Sequence, residues 1–268
     1  MSYRGPPPYA GYPSTMVNRY LPRSVLLTLA AALFLAGCAT TDRDQWDAER
    51  YYQEARAALD DERYQTAIQY YQELETNFPY GAHAEQGQLD LAYAYYRQSE
   101  PESAIATAER FMQMHPRHPR VDYAHYIRGL AGSLKNRNFL NDLFGQDPGK
   151  RDPSSLRETF DYFAELVREH PESEYAEDAA QRMIHLRNSL AAYEVHVARF
   201  YLERDAHLAA ANRAGRVLED FDQTPAVADA LALMVEAYTA LGQDDLAASA
   251  EELLAHNHPG HAARLKEQ

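Results

Sequence analysis

From about residue 50 onward, apolar side chains recur three and four positions apart instead of alternating. Tyr52, Ala55 and Leu59 form one stripe, and Tyr64, Ala67, Ile68, Tyr71 and Leu74 form the next. Residues so spaced share one face of an α-helix. Asp60, Asp61 and Glu62 supply a polar turn between the stripes, so the pattern predicts a helix-turn-helix unit. A second unit is expected over about 82–115, with Leu89, Ala92, Tyr93 and Tyr96 on its first helix and Ala104, Ala108 and Phe111 on its second. A third begins near Val121 with Tyr123, Tyr126, Ile127 and Leu130. It is interrupted from Asn138 to Pro153, where Gly145, Pro148, Gly149 and Pro153 break helical continuity, and its partner helix carries Leu156, Phe160, Phe163 and Leu166. Ser173 to Arg204 contains neither proline nor glycine, which predicts one helix of about thirty residues bridging two halves. The last unit holds Ala237 to Gly242, where Gly242 suits a left-handed helix end, followed by Leu246, Ala247 and Ala250.

Prolines punctuate these runs at Phe78-Pro79, His115-Pro116, His170-Pro171, Thr224-Pro225 and His258-Pro259, with spacings of 37, 55, 54 and 34. Two spacings lie near the tetratricopeptide period of about 34 residues, and the other two exceed it as an insertion or a lengthened helix would cause. The fold class is therefore all-α, a solenoid of about five helix-turn-helix repeats. Such arrays present extended surfaces that bind peptides or partner domains.

A different pattern precedes the repeats. Arg19 and Arg23 are followed by an apolar run from Val25 to Leu35 and by Ala36, Gly37 and Cys38, the chain's one cysteine. The run is too short for a permanent membrane span and has the layout of a secretory signal. Leu35-Ala36-Gly37-Cys38 resembles the lipobox of bacterial lipoproteins, which implies cleavage before Cys38 and lipidation of its sulfur. The competing reading is an ordinary signal followed by a free thiol. A lone cysteine has no internal disulfide partner, and Ala39 after it resembles outer-membrane cargo. Residues 1–15 are rich in Pro, Gly and Tyr, and a start at Met16 would give a signal of ordinary length. The expected organisation is a signal peptide over 1–37, a lipidated linker over 38–44, amino-terminal repeats over 45–171 and carboxy-terminal repeats over 172–268.

Of 26 basic and 40 acidic residues, only three arginines fall before Cys38, so the mature chain carries a formal charge near −17. That balance argues against nucleic acid or anionic lipid as main partner, since both need a basic face. Catalytic motifs are missing as well. None of the eleven histidines lies in a His-Glu-x-x-His arrangement, His115-Pro116-Arg117-His118 sits at a helix break, and neither a phosphate loop nor a Gly-x-Ser-x-Gly elbow is present. Glu172, Glu174, Glu177 and Asp178 suit the first turn of the long helix. The chain reads as no enzyme, with no cofactor and no metal. Adjacent tyrosines, Tyr51-Tyr52, Tyr70-Tyr71 and Tyr95-Tyr96, point about 100 degrees apart on a helix, so one ring of each pair can enter the core while the other faces a groove. A groove-facing tyrosine suits a peptide with an aromatic end.

Several stretches together resemble the BamD family, lipoproteins of the β-barrel assembly machinery of the Gram-negative outer membrane. They are Asn77-Phe78-Pro79-Tyr80-Gly81, Leu89 to Tyr96, Arg110-Phe111 through His118-Pro119, Asp122-Tyr123 with Tyr126 and Arg128-Gly129-Leu130. Leu143-Phe144-Gly145, Arg151-Asp152-Pro153, Tyr201 to Arg204 and Asn212-Arg213 continue the match in order. The resemblance implies five tetratricopeptide units. Their amino-terminal half would receive segments of unfolded outer-membrane proteins and a companion lipoprotein, and their carboxy-terminal half would dock the periplasmic domain of the barrel insertase. It nominates Arg213 for that docking, with Arg204 and Asn212 beside it, and Phe78 and Tyr80 for the substrate groove, where this chain has Phe-Pro-Tyr-Gly against the family's Tyr-Pro-Phe-Gly. An intramolecular pair to Glu203, Asp205 or Glu219 is the competing use of Arg213. The rival function is a periplasmic tetratricopeptide adaptor for cell-wall enzymes, which should lack Leu143 to Pro153 and the Asn212-Arg213 context. A lipid-anchored hydrolase would need a convergent acid, base and nucleophile that the sequence does not offer.

The lipobox reading predicts that the wild-type chain sediments with membranes and that Cys38→Ala releases it to the soluble fraction. Continued sedimentation of the variant would refute the anchor.

Overall fold

The structure, a computed structural model, describes residues 45–136 and 153–266. The lipobox cysteine Cys38 and most of the interruption expected from Asn138 to Pro153 lie outside the described residues. Among the described residues there are eleven helices and no strand, all within the unit that begins at Asp47. They are α1 (Ala48–Asp60), α2 (Tyr64–Asn77), α3 (Ala82–Arg97), α4 (Pro101–Met114), α5 (Val121–Lys135), α6 (Ser154–Glu169), α7 (Ala176–Leu202), α8 (His207–Asp220), α9 (Ala226–Ala240), α10 (Asp244–Asn257) and α11 (Pro259–Lys266). Each helix packs against its sequence neighbours. Odd-numbered helices also touch the next odd helix, α1 on α3, α3 on α5, α7 on α9 and α9 on α11, which is the contact pattern of stacked pairs. The expected five pairs are present, followed by the short α11.

The interior of the stack is made of small residues. Ala55, Ala67, Ala92, Ala104, Ala108, Ala124, Ala198 and Ala214 are fully buried, and their short side chains let helix backbones approach closely while Phe111, Phe163, Tyr71 and leucines fill what remains. Tyr52 and Tyr64, predicted in core stripes, are only half-buried: Tyr51 takes the buried place beside Tyr52, while Tyr71, predicted in the stripe of Tyr64, is buried. Tyr51-Tyr52 and Tyr70-Tyr71 thus split as the 100° offset requires, whereas Tyr95 and Tyr96 are both half-buried. Leu246 is exposed while Ala247 and Ala250 are buried.

Two kinds of turn alternate. After α1, α3, α7 and α9 the chain enters the left-handed region at Glu62, Ser99, Asp205 and Gly242. At each, the next N–H reaches five residues back, Arg63 to Ala58, Glu100 to Tyr95, Ala206 to Tyr201 and Gln243 to Tyr238, which is the Schellman closure. The predicted left-handed end at Gly242 recurs in three other repeats on non-glycine residues. After the even helices the closing residues are Phe78, His115, His170, Phe221 and His258, each donating its N–H to the carbonyl four back. Proline follows four of them and, by restricting the preceding residue to extended backbone, ends the helix. Pro225 differs: it sits at the N-terminus of α9, and the corresponding helix end is Phe221, so the proline spacing places that boundary a few residues late.

The long helix exists as predicted but begins at Ala176, because Ser173 and Tyr175 are still held in a turn by Ser173 N–H to His170 O and Tyr175 N–H to Ser173 Oγ. Its 27 residues rise about 40 Å. Leu186 and Leu190 pack with Leu156, Phe163 and Leu166 of α6, while Ala191, Val195 and Ala198 pack with Ala214 and Val217 of α8 and Ala230 and Leu233 of α9. One helix thereby serves two successive cores. Asn136 at the end of α5 holds the flanks of the interruption: its Nδ2 reaches the carbonyls of Gly132 and Ser155 and the Thr159 hydroxyl, and Ser155 Oγ donates to its Oδ1 at 2.6 Å.

Close approach is tightest at Gly129, where an added Cβ would stand 2.4 Å from the Phe163 ring. Gly129→Ala is expected to destabilise the chain by about 1–3 kcal/mol through overpacking, read as a lower melting temperature. Gly215→Ala, where nothing lies within 4 Å of the new methyl on helix α8, should be neutral or stabilising by up to about 1 kcal/mol. Equal effects at the two sites would contradict the close-packing account.

Candidate functional site

Two arginine-bearing surfaces stand out, one in each half. In the amino-terminal half, Asp90 on α3 is only 4% exposed, and a buried carboxylate must be paired or neutralised. Its Oδ2 accepts from Tyr52 of α1 at 3.0 Å and Tyr71 of α2 at 3.3 Å, and its Oδ1 from Gln86 one turn earlier at 2.9 Å. Arg56 Nη1 stands 3.5 Å away. Burial, then the Asp90 charge, raises Tyr52 and Tyr71 above the usual phenol range, so both hydroxyls keep their protons and donate. Burial opposes the charge on Arg56, but Asp90 and Asp60, with smaller help from Tyr52 and Tyr71, together offset it and raise its pKa.

Around this anchor a groove of about 390 Å³ opens between α1, α3 and the start of α5, with Arg56, Arg97, Arg120, Tyr93 and Tyr123 on its walls. Arg97 donates to the Tyr93 hydroxyl at 2.7 Å and lies over the Tyr64 ring; Arg120 donates to Gln86 at 3.0 Å and lies over Tyr123. These stacks fix the guanidinium planes. Asp60, Glu62 and Asp90 line the groove as well, Arg56 donating to Asp60 at 3.2 Å and Arg97 to Glu62 at 3.4 Å, so its walls carry aromatic faces and arginines part-paired with carboxylates. Of the two residues nominated for substrate, neither lines it. Phe78 closes α2 and packs on Tyr51 with ring centroids 6.2 Å apart, and Tyr80, beside the positive-φ Gly81, is 90% exposed. Asp90 and the three arginines escaped the sequence reading because they come from different repeats, though the Tyr52 and Tyr71 stripes pointed toward them.

In the carboxy-terminal half, Arg213 on α8 donates from Nη1 to Glu194 Oε2 on α7 at 2.9 Å. Glu194 is 2% exposed, and its other oxygen faces Arg157 of α6 at 3.6 Å. Three helices from successive pairs therefore meet at one buried carboxylate. The hydrogen bond to Glu194 raises the Arg213 pKa against the penalty of burial, and the Arg213 side chain stays about one-third exposed. The intramolecular pair weighed for Arg213 is real, yet its partner is Glu194 and none of Glu203, Asp205 and Glu219. Arg204 has separate partners: its guanidinium lies 3.5 Å over the Phe200 ring, Nη1 donates to the Phe200 carbonyl, and Glu203 is 4.0 Å away. Asn212 is exposed on α8.

Of the four acidic residues expected in the first turn of the long helix, two are there; Glu172 and Glu174 lie before its start at Ala176, in the turn held by His170 and Ser173. Glu177 and Asp178 begin α7, and Asp178 accepts from the Tyr126 hydroxyl at 2.7 Å and pairs with Arg182. Burial opposes its charge, but these bonds hold its carboxyl below the usual range. Tyr126 is pushed up to about 12 by burial and by its bond to Asp178. His115 and His118 flank the Phe111 ring in the turn after α4. No helix among the described residues is long and apolar enough to cross a membrane.

Comparison with known proteins places the whole repeat array in one family. A sequence profile for the family YfiO, described as outer membrane lipoprotein, matches residues 44–253. The "outer membrane protein assembly factor BamD" of Neisseria meningitidis serogroup A is 42% identical over 245 residues, covering 88% of this chain and 92% of that protein. Its counterpart from Vibrio cholerae is 38% identical over 231 residues, with 85% and 96% covered, and that from Pasteurella multocida 34% over 239 residues, with 89% and 92% covered. The chain belongs to the BamD family of outer membrane lipoproteins. These relatives are named as assembly factors, which agrees with the reading of the chain as no enzyme.

The Glu194 anchor yields a stability test. Arg213→Ala leaves a buried carboxylate with only the longer Arg157 contact and should cost about 1–3 kcal/mol in denaturant unfolding. Adding Glu194→Gln to that variant removes the uncompensated charge and should restore most of the loss. A double variant no more stable than Arg213→Ala would show that Glu194 carries no such charge.

Proposed function

We propose that the chain is a lipid-anchored scaffold of the outer-membrane protein assembly complex, facing the periplasm. Cys38 carries the lipid after removal of the signal, and the repeats hang from it as a binding platform. Its relatives' name, outer membrane protein assembly factor, supports the coarse role, and the distribution of arginines in an acidic chain supports the finer one. The amino-terminal groove of Arg56, Arg97 and Arg120 with Tyr93 and Tyr123 receives an extended segment of an unfolded outer-membrane protein. Guanidinium forks bond its backbone carbonyls or a terminal carboxylate, and tyrosine faces take its aromatic side chains. Companion lipoproteins dock on the same half.

Arg213 docks the periplasmic domain of the barrel insertase, with Arg204 and Asn212 at the margin. The observation that carries this reading is the pinned geometry of Arg213. One donor is bound to a buried carboxylate anchored among three helices, so the rest of the fork is presented to a partner with little orientational freedom left to lose. No reaction follows. The chain captures, holds and hands over, and the insertase performs the insertion.

Detergent co-purification of the tagged full chain from its own envelope tests this. The wild type should recover a large barrel protein, and the Arg213→Ala/Glu194→Gln variant, chosen because it is expected to stay folded, should lose it. Recovery of cell-wall enzymes with no barrel protein in either sample would replace this reading with the adaptor.

A further inference from the structure

A second cavity of about 490 Å³ lies on another part of the repeat stack, where α4, α5 and α6 meet, and His125, Arg128, Glu165, Glu169 and His170 are among its lining residues. His125 on α5 is buried; Glu169 ends α6 and His170 closes it. One donor atom from each of these three lies within 4.8 Å of the others. His125 Nε2 stands 3.9 Å from Glu169 Oε2, and the two imidazole rings are 5.2 Å apart between centroids. We propose that His125, Glu169 and His170 form a binding site for a zinc-class divalent ion, with a fourth position open to the cavity.

Two imidazoles and a carboxylate are the donor set such an ion takes. Zinc bonds of about 2.0–2.1 Å put tetrahedral donors roughly 3.3 Å apart, so the present spacing of up to 4.8 Å must close by up to about 1.5 Å. Glu169 is exposed and pairs with the exposed Arg168, so its side chain can swing inward. His125 is the fixed member. It is buried on α5 and packs against His170 across the cavity. Arg128 does not repel the ion as a bare cation, because Glu165 bonds it directly and Glu109 lies 3.8 Å from it.

Arg128 donates to His125 Nδ1 at 3.3 Å, which leaves Nε2 carrying the ring proton. An ion bound at Nε2 displaces that proton and requires Nδ1 to donate instead. Arg128, which Glu165 already bonds, then gives up its contact with Nδ1. The C-terminal carbonyls of α6 add negative potential at the same place. A bound ion ties α5 to α6 at the end opposite the Asn136 clasp. The sequence hid this group because its members sit on either side of the interruption after α5.

The full chain, purified in detergent and stripped of metal, is to be titrated calorimetrically with Zn²⁺ alone. One ion per chain is expected, with affinity falling at least tenfold in Glu169→Gln and in His170→Ala and unchanged in His256→Ala on α10. Both test residues lie outside the buried core, so the variants are expected to fold, and their melting temperatures without metal check this. The absence of one-to-one binding, or equal affinity in wild type and both test variants, overturns the site.

Discussion

Close approach of neighbouring helix backbones is the constraint on which the rest of the structure depends. Alanine occupies the fully buried positions at nearly every helix contact, and Gly129 and Gly132 go further, leaving room only for the Phe163 ring and the Thr159 side chain. Short side chains there lose no rotamer entropy on burial, and they set interhelical distances that larger residues would force apart. Once those distances are fixed, the aromatic residues have one way to fit. The α7 helix shows the consequence: its alanines and leucines engage α6 first and then α8 and α9, so the two halves share an element and need no linker.

Packing made of alanine, leucine and phenylalanine has no directional preference, and the buried carboxylates supply one. Asp90 gathers groups from α1, α2 and α3; Glu194 gathers groups from α6, α7 and α8. Each stands on an odd-numbered helix, is almost wholly removed from water, and ends in an arginine that reaches the surface. Buried charge of this kind contributes little net stability compared with apolar residues of the same volume. Its effect is to orient: the anchored arginine cannot wander, and what it presents to solvent is a fork of fixed direction.

Fold class was legible because alanine and tyrosine repeat at helical spacing and because proline restricts the residue before it. Where the rule was local it held, as at Gly242 and at four of the five prolines. Where the same geometry is reached by other residues it was hidden: Glu62, Ser99 and Asp205 adopt the left-handed turn without glycine, and Pro225 opens a helix where the pattern suggested an end. Sites were less legible for a related reason. Arg213 was found by resemblance, but its partner Glu194 sits in an unbroken helical run, where nothing local marks a carboxylate as buried. The Asp90 groove likewise exists only after three repeats are stacked, and a stripe of tyrosines says which rings face inward without saying which carboxylate they meet.

The acidic surface bears on how such a scaffold selects partners. At physiological ionic strength fields from exposed charges are screened within about 8 Å, so a docking segment that has reached a groove responds to the guanidinium groups around it more than to the net charge of the chain. Farther out, the excess of carboxylates repels other acidic molecules and keeps them from accumulating on the surface. On the proposed reading, a segment would be retained only where its carbonyls or carboxylate meet the forks of Arg56, Arg97 and Arg120, or of Arg213, at close range. Because those forks are pinned by stacking on tyrosine or by a buried carboxylate, the match is geometric as well as electrostatic. An acidic chain with a few fixed arginines can therefore discriminate more sharply than a basic one that attracts every anion it meets.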